Sequence, residues 1–475
     1  MGSPRLICNA ISRIRKKLPP SQGGHQVLDS INLTITCFIS KFSKNLSTFD
    51  MSTAHLFVGL VTSLFLQGLA SAQTFNLAQL IQIATDTHPA VRSQLSSEKS
   101  AQFGIETAVY QTYPTPQLTY ESVKKNSSDT SYAGSDGVAT IRITQPIFNG
   151  GQYDAQLDKA KANLQVSQAN VRESRRQVAI RVVQAYAEWV SAELKVQAID
   201  KSMAVHQKLV QQAKNRIAQG ASPASDLSLV QGRLDATSGE LFSAKLQAEL
   251  ALQKLGELTG VSVNAAQLKA DMSGPITHTL LIDNLLANAQ IHSPELQKAK
   301  AQALISRANV QEKQAALKPD IYLRAERQYG NYFSASDTGA HNRIFIGVTS
   351  KFGPGLSSFS QISAAKTQED SSEFDIQFQQ KLLREQVLND VTVLRSLQQK
   401  MQALQGALQA SLLVLESFER QFNAGRKTWL DLMTVVRDVA QNETQLADMR
   451  GTELQTSWHL QIMTSDNYTQ VNSKP

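Results

Sequence analysis

Cysteine is almost absent: the 475-residue chain has two, Cys8 and Cys37. Both precede residue 73. Downstream of that point a disulfide framework, a Cys-ligated metal and thiol catalysis are excluded. Long apolar runs are also missing. The strongly apolar stretch Leu56–Leu66 (LFVGLVTSLFL) has eleven residues, against the ~20 that a membrane-spanning helix needs. Charged residues make up 18%, below the ~25% of an ordinary soluble domain, and Gln, Ser, Asn and Thr supply much of the polarity. There is no GxxxxGK[ST] phosphate loop, no Rossmann glycine fingerprint and no GxSxG nucleophile turn. No two of the eight His stand at metal-ligand spacing. The sequence therefore asks for no catalytic residue, cofactor or metal, and the chain is not expected to be an enzyme. A nucleic-acid partner is not expected either. Residues 1–72 carry +5 of the chain's +7, so the remainder has no basic face to offer a phosphate backbone.

The apolar core Leu56–Leu66 is followed by Gly68 and by Ala70-Ser71-Ala72 before Gln73. That order has the form of a secretory signal peptide with a small-x-small exit. The alternative is a buried N-terminal helix. Met51 is the expected start and the cut is expected after Ala72, although the nearest cations, Lys41 and Lys44, lie upstream of Met51. Gln73, not Cys, follows the cut, so no lipid anchor is expected there.

A repeat of 205 residues organises the rest. Pro89 recurs as Pro294, Pro114 as Pro319, Gly220 as Gly425, and Asp226-Leu227 as Asp431-Leu432. Such self-similarity marks structurally equivalent halves. The expected units are an extension and leader at 1–72, a first repeat at 73–262, a connector at 263–277, a second repeat at 278–467 and a tail at 468–475. Each half opens with a helical stretch, Leu77–Tyr113 or Ile282–Leu317. Two short segments of period two come after it. In the first half Ile141 and Ile143 alternate with Arg142 and Thr144. In the second, Ile321 and Leu323 alternate with Tyr322 and Arg324, and Ile344 and Ile346 with Arg343 and Phe345.

A long proline-free helix comes next, Gly151–Gln219 or Leu356–Ala424. Its seam has 4-3 spacing: Val178, Val182, Ala185, Trp189 and onward to Ile217. The same seam, shifted by 205, runs from Leu383 to Phe422 and departs only at Asp390 and Ser411. His206 on this seam reads as a hydrogen-bonded side chain at a helix contact. Gly220 and Gly425 end the long helices as C′ glycines. A last helix closes each half, with Ser222 expected to cap the first of them and Pro223 to sit in its first turn.

Four short strands cannot close a barrel around an aqueous opening. In a bilayer an open sheet edge is not tolerated, because unpaired backbone groups find no water there. Several chains sharing one barrel would resolve this.

At this point the sequence resembles the TolC-like outer membrane efflux and secretion channels, over about Phe75–Met463. The carriers are the two-fold repeat, Tyr113-Pro114-x-Pro116 and Lys318-Pro319 at the strand entries, and Gln145-Pro146-Ile147-Phe148-Asn149-Gly150-Gly151 leading into the long helix. The tips match too: Arg216-Ile217-Ala218-Gln219-Gly220 with Asp226-Leu227, and Gln421-Phe422-Asn423-Ala424-Gly425 with Asp431-Leu432. The resemblance implies a mainly α fold with a small β part. Long antiparallel helical hairpins would form an α-barrel, and four transmembrane strands per chain would join a twelve-stranded barrel in a homotrimer. It implies a Gram-negative outer membrane location with a tunnel in the periplasm. It also implies outer membrane lipid around the strands, a periplasmic adaptor (membrane fusion) protein, and an inner-membrane ABC or RND-type transporter that powers a passive exit duct.

The site residues carried over are a periplasmic gate at Asp226, Asp431, Lys427 and Phe422. The adaptor-contacting tips are Arg216, Gly220, Ala221, Ser222, Gly425 and Arg426. Ile141, Ile143, Ile321, Leu323, Ile344 and Ile346 are expected to face lipid, and Arg142, Thr144, Arg324 and Arg343 the lumen. Both Asp residues also stand in a first helical turn, so helix capping is the alternative to a gate. Cargo is open between protein secretion and efflux of small compounds; the Arg343–Gly355 stretch is similar to branches that serve secreted adhesins. The competing function is a periplasmic coiled-coil adaptor or structural rod.

Overall fold

Pro89 and Pro294 divide what the periodicity reads as single helical stretches. Proline lacks the N–H that a helix interior needs and pushes the residue before it into extended backbone. His88 and Ser293 are accordingly extended and act as N-caps, His88 accepting from the Ala90 N–H and Ser293 from the Leu296 N–H. The computed structural model describes residues 74–124, 131–268, 275, 281–350 and 355–465. The expected leader with its cut after Ala72, the tail 468–475 and Phe352–Pro354 lie outside the described residues, as does much of the connector 263–277.

The first half consists of α1 (Leu77–Thr87), α2 (Pro89–Tyr110), β1 (Thr115–Ser122), β2 (Gly137–Asn149), α3 (Gln152–Ala218) and α4 (Ala224–Thr259). The second half repeats it as α5 (Ile282–His292), α6 (Pro294–Ala315), β3 (Asp320–Tyr329), β4 (Ala340–Thr349), α7 (Ser357–Asn423) and α8 (Trp429–Thr464). Helix lengths of 11, 22, 67 and 36 residues occur in both halves. At 1.5 Å per residue the long helices run about 100 Å. Among the described residues no helix is long and apolar enough to cross a membrane.

The seam residues hold these rods together. α3 packs on α1, α2 and α4 and also on α6 and α8. The main core surrounds its middle, with Tyr186 and Trp189 packed among Leu80, Ile81, Leu255 and Trp458. At Gly451 the helices α8 and α3 approach closely: a Cβ there would lie 2.8 Å from the Ser191 Cβ. The polar seam positions are satisfied. The buried His206 ring pairs through Nδ1 with the Ser202 carbonyl at 2.8 Å. Asp390 meets His459 Nδ1 at 2.6 Å, and Ser411 accepts from Asn442 Nδ2 at 3.1 Å.

The two long helices are not equally covered. Twenty-two side chains of α3 are buried, but only nine of α7. The chief neighbours of α7 are α5, α6 and α8, and Phe359, Phe374 and Phe378 on it are exposed.

The four strands form one antiparallel sheet in the order β1-β2-β3-β4. Both hairpins share one register: Leu118 opposes Ile141, and Leu323 opposes Ile346. Between them Ile143 opposes Ala325 and Arg142 opposes Glu326, with a bulge between Pro146 and Phe148. The outer edges of β1 and β4 have no partner strand among the described residues.

Candidate functional site

The site has two parts, the helix tips and the faces of the sheet. At each tip a left-handed glycine reverses the chain. Gly220 (φ +71°) donates to the Ile217 carbonyl and Ala221 to that of Arg216. Gly425 (φ +72°) donates to Phe422 and Arg426 to Gln421 in the same way. Both are Schellman motifs, in which a residue with a Cβ would be strained at C′.

Beyond the glycines the two halves differ. Thr428 caps α8 in a full capping box: its hydroxyl accepts from the Asp431 N–H at 3.2 Å, and its own N–H donates to Asp431 Oδ2 at 3.1 Å. The Thr428 hydroxyl also lies 2.9 Å from Oδ2, and Lys427 Nζ stands 3.9 Å from Oδ1. In α4 the N-cap is Pro223, with no side-chain cap bond. This corrects the expectation that Ser222 caps the helix and that Pro223 lies inside its first turn. The Asp226 carboxylate makes no hydrogen bond or ion pair among the described residues. The two repeat-related acids thus differ: Asp431 is a helix cap, whereas Asp226 is an unengaged carboxylate at the other tip.

Phe422 and Arg216, expected at the gate and at the tip surface, are engaged within the chain. Phe422 is 2% exposed and packs on Trp429, ring centroids 4.3 Å apart, within a tip cluster of Leu209, Val230 and Leu432. Arg216 lies over the Phe422 ring at 4.3 Å and donates through Nη2 to the Phe422 carbonyl at 3.1 Å. It clamps the end of α3 to the end of α7 and holds its charge inward. Lys427 lies over the Phe418 ring at 4.2 Å. Ser222 is half-buried, and Gly220, Ala221, Gly425 and Arg426 remain exposed at the tips. Neither Trp429 nor the Arg216–Phe422 contact follows from the tip motifs. One signal did exist: Phe418 and Phe422 both sit on the apolar seam, which foretells burial.

The Asp431 carboxyl is held below the usual carboxylate range, first by the Thr428 N–H, then by the Thr428 hydroxyl and last by the Lys427 charge. A depressed folded-state pKa stabilises above the unfolded value and is lost as the pH falls through the folded one. The start of α8 is therefore expected to loosen below about pH 3.8, the unperturbed value. Amide exchange at residues 429–433, followed from pH 6 downward, measures this. Asp431→Asn should show the looser exchange already at neutral pH, and Asp226→Asn should not.

The register sorts the strand residues onto two faces. Residues directly opposite share a face. Ile141, Ile143, Ile321, Leu323, Ile344 and Ile346 fall on one side, and Arg142, Thr144, Arg324 and Arg343 on the other. The apolar side is bare, with Ile344 at 78% and Ile346 at 76% exposure. Aromatic residues flank it at both ends. Tyr120 and Tyr329 stand at the loop end, with Arg327 over the Tyr329 ring at 5.1 Å. Tyr110, Tyr113 and Phe148 stand exposed at the helix end. On the polar side the Glu326 carboxylate, 8% exposed, lies 3.3 Å from Arg142, 3.7 Å from Arg324 and 3.5 Å from Arg343. Glu326 as the common partner of all three Arg residues is visible only in the register.

Comparison with known proteins agrees with this architecture. Residues 80–261 match the family model described as outer membrane efflux protein. The outer membrane efflux protein BepC of Brucella suis biovar 1 (strain 1330) is 21% identical over 332 residues, covering 68% of this chain and 71% of BepC. Among solved structures, CusC superposes with a TM-score of 0.73 at 13% identity, over 83% of this chain and 93% of that one. VceC from Vibrio cholerae gives 0.69 at 18%, over 82% and 96%. The fold, mainly helical with one small antiparallel sheet, is that of the TolC-like channels. The resemblance read from the repeat and its motifs is borne out, by the family match over residues 80–261 and by the shared fold.

Proposed function

We propose that three copies of this chain form a passive outer membrane exit duct. An inner-membrane ABC or RND-type transporter would power it through a periplasmic adaptor docked at Gly220, Ala221, Gly425 and Arg426. The observation that carries this reading is a sheet with a bare apolar face and two edges that have no partner strand among the described residues. In lipid those edges must be paired, and copies of the chain pair them most simply. The uncovered flank of α7 fits the same closure. The places that α6 and α8 take beside α3 would be taken beside α7 by α2 and α4 of the next copy, whose Phe103, Phe242 and Leu246 are exposed. Both the matched family and BepC are described as efflux proteins, which favours small compounds over a secreted protein as cargo. A periplasmic adaptor or rod has no use for strand pairs from both halves joined in one apolar-faced sheet.

The repeat supplies the register of the closure. Shifting the β2–β3 pairing by 205 residues sets β4 against the next copy's β1, with Gly347 opposite Glu121 and Val348 opposite Tyr120. Val348→Cys with Tyr120→Cys, in a chain freed of Cys8 and Cys37, is expected to give covalently closed trimers on oxidation. Ile143→Cys with Ala325→Cys is the within-chain equivalent and serves as control. A control that closes beside a Val348/Tyr120 pair that never links chains would reject closure by copies. At the gate, Asp226→Asn is expected to lower cation selectivity and polyvalent-cation block of the reconstituted channel. Three copies of an unengaged carboxylate would focus one field in a narrow opening.

A further inference from the structure

On the polar face of the sheet three guanidinium groups converge on one carboxylate. Arg142 Nε donates to Glu326 Oε2 at 3.3 Å. Arg343 Nη1 lies 3.5 Å from Glu326 Oε1 and donates to Gln328 Oε1 at 3.1 Å. Arg324 is stacked on Phe345 at 4.3 Å, and its buried Nε finds no hydrogen-bond acceptor among the described residues; the nearest ion-pair oxygen is Glu326 Oε2 at 3.7 Å. Three positive charges are thus set against one negative charge. The other acids on this face lie apart from the cluster. Glu121, toward the loops, accepts from the Tyr332 hydroxyl at 2.8 Å, and Asp320 pairs with Thr349 at the helix end of the strands.

Each part of this arrangement has a physical role. Glu326 holds the guanidinium forks in place, and Phe345 fixes the plane of Arg324 from the side. What remains is an excess of two positive charges per chain with a desolvated donor still unmatched. A guanidinium fork fits carboxylate, phosphate and other planar or tetrahedral oxyanions better than a point charge does. A buried donor without an acceptor is a standing penalty that an incoming oxygen removes.

We propose that Arg142, Arg324 and Arg343, held by Glu326, form a collar that binds the anionic group of a passing cargo and biases the strand-lined part of the duct toward anions. This rests on the reading that the polar face lines the lumen. In a closed trimer the collar would carry the excess charge of three chains in one narrow band, opposite in sign to the Asp226 carboxylates at the helix tips.

Reconstituted trimers in planar bilayers under a KCl gradient test it. Arg142→Gln with Arg343→Gln is expected to lower the chloride-to-potassium permeability ratio about two-fold or more, and pyrophosphate is expected to block the parent channel more strongly than this variant. Arg142→Lys with Arg343→Lys should keep the ratio but lose part of the pyrophosphate block, because Lys has no fork. SDS-resistant trimer is scored for each variant. Arg142→Cys in the cysteine-free chain is also treated with a membrane-impermeant sulfonated thiosulfonate. If the Cys reacts and the Gln variant, assembled as a trimer, keeps the parent ratio and block, the collar is rejected. If the Cys in an inserted trimer cannot be reached from the aqueous side, the lumen reading itself fails and the collar with it.

Discussion

Ile346→Arg is expected to abolish the inserted oligomer. Ile346 lies near the middle of β4 on the bare face, opposite Leu323, with Ile344 and Val348 two residues away on the same side. An Arg facing lipid at mid-bilayer costs about 2–4 kcal/mol in a transmembrane barrel, and a trimer bears that cost three times. The matched control is Thr349→Arg on the same strand. Thr349 belongs to the opposite face and stands against Asp320, so the new charge meets water and an acid. The SDS-resistant trimer in outer membrane fractions should vanish for the first variant and persist for the second. The reverse pattern would mean that the faces are assigned backwards.

The second large effect is expected from Phe422→Ala. Phe422 is among the largest fully buried side chains, and the cluster around it is confined to the tip. Truncating a buried Phe costs roughly 3–5 kcal/mol in transfer and cavity terms. Here it also removes the ring beneath Arg216 and the partner of Trp429. Because the main core around Tyr186 is a separate cluster, the loss should be local. Amide exchange near residues 209–216 and 422–436 is expected to rise steeply, with trimer yield kept and transport reduced. Phe422→Tyr tells packing from gating: a hydroxyl placed in this buried spot should destabilise the tip, whereas a residue lining an opening would accept it. A tip that stayed as protected as the parent in Phe422→Ala would show that Phe422 is not its keystone.

Much of this molecule is legible in its sequence because it is written twice. Helix ends fixed by proline and glycine repeat at 205 residues, and Gly220 and Gly425 take the left-handed backbone that a Schellman reversal requires. The seams are legible because helix contact has a fixed period, and that period placed Phe422 in the interior. Period two likewise separated Ile141 and Ile143 from Arg142 and Thr144. The capping of the last helix in each half follows the residue type and not the repeat, since proline offers neither a hydroxyl nor an N–H. Ser222-Pro223 and Lys427-Thr428 occupy the same place in the repeat, yet only Thr428 forms a capping box.

By itself, then, the sequence determined the element order, the two halves and the apolar seams, since each depends on local backbone preference and on periodicity. Which repeated acid is spent as a cap is also local, since Thr428 has the hydroxyl and N–H that engage Asp431 and its repeat equivalent Pro223 has neither; how the strands pair was left to tertiary structure. It alone brought Arg142, Arg324 and Arg343 around Glu326, because the joining of β2 to β3 is set by the packing of long helices that intervene in the chain. It also left α7 less covered than α3: α3 lies between its own half and the helices α6 and α8 of the other, whereas α7 packs chiefly within its own half.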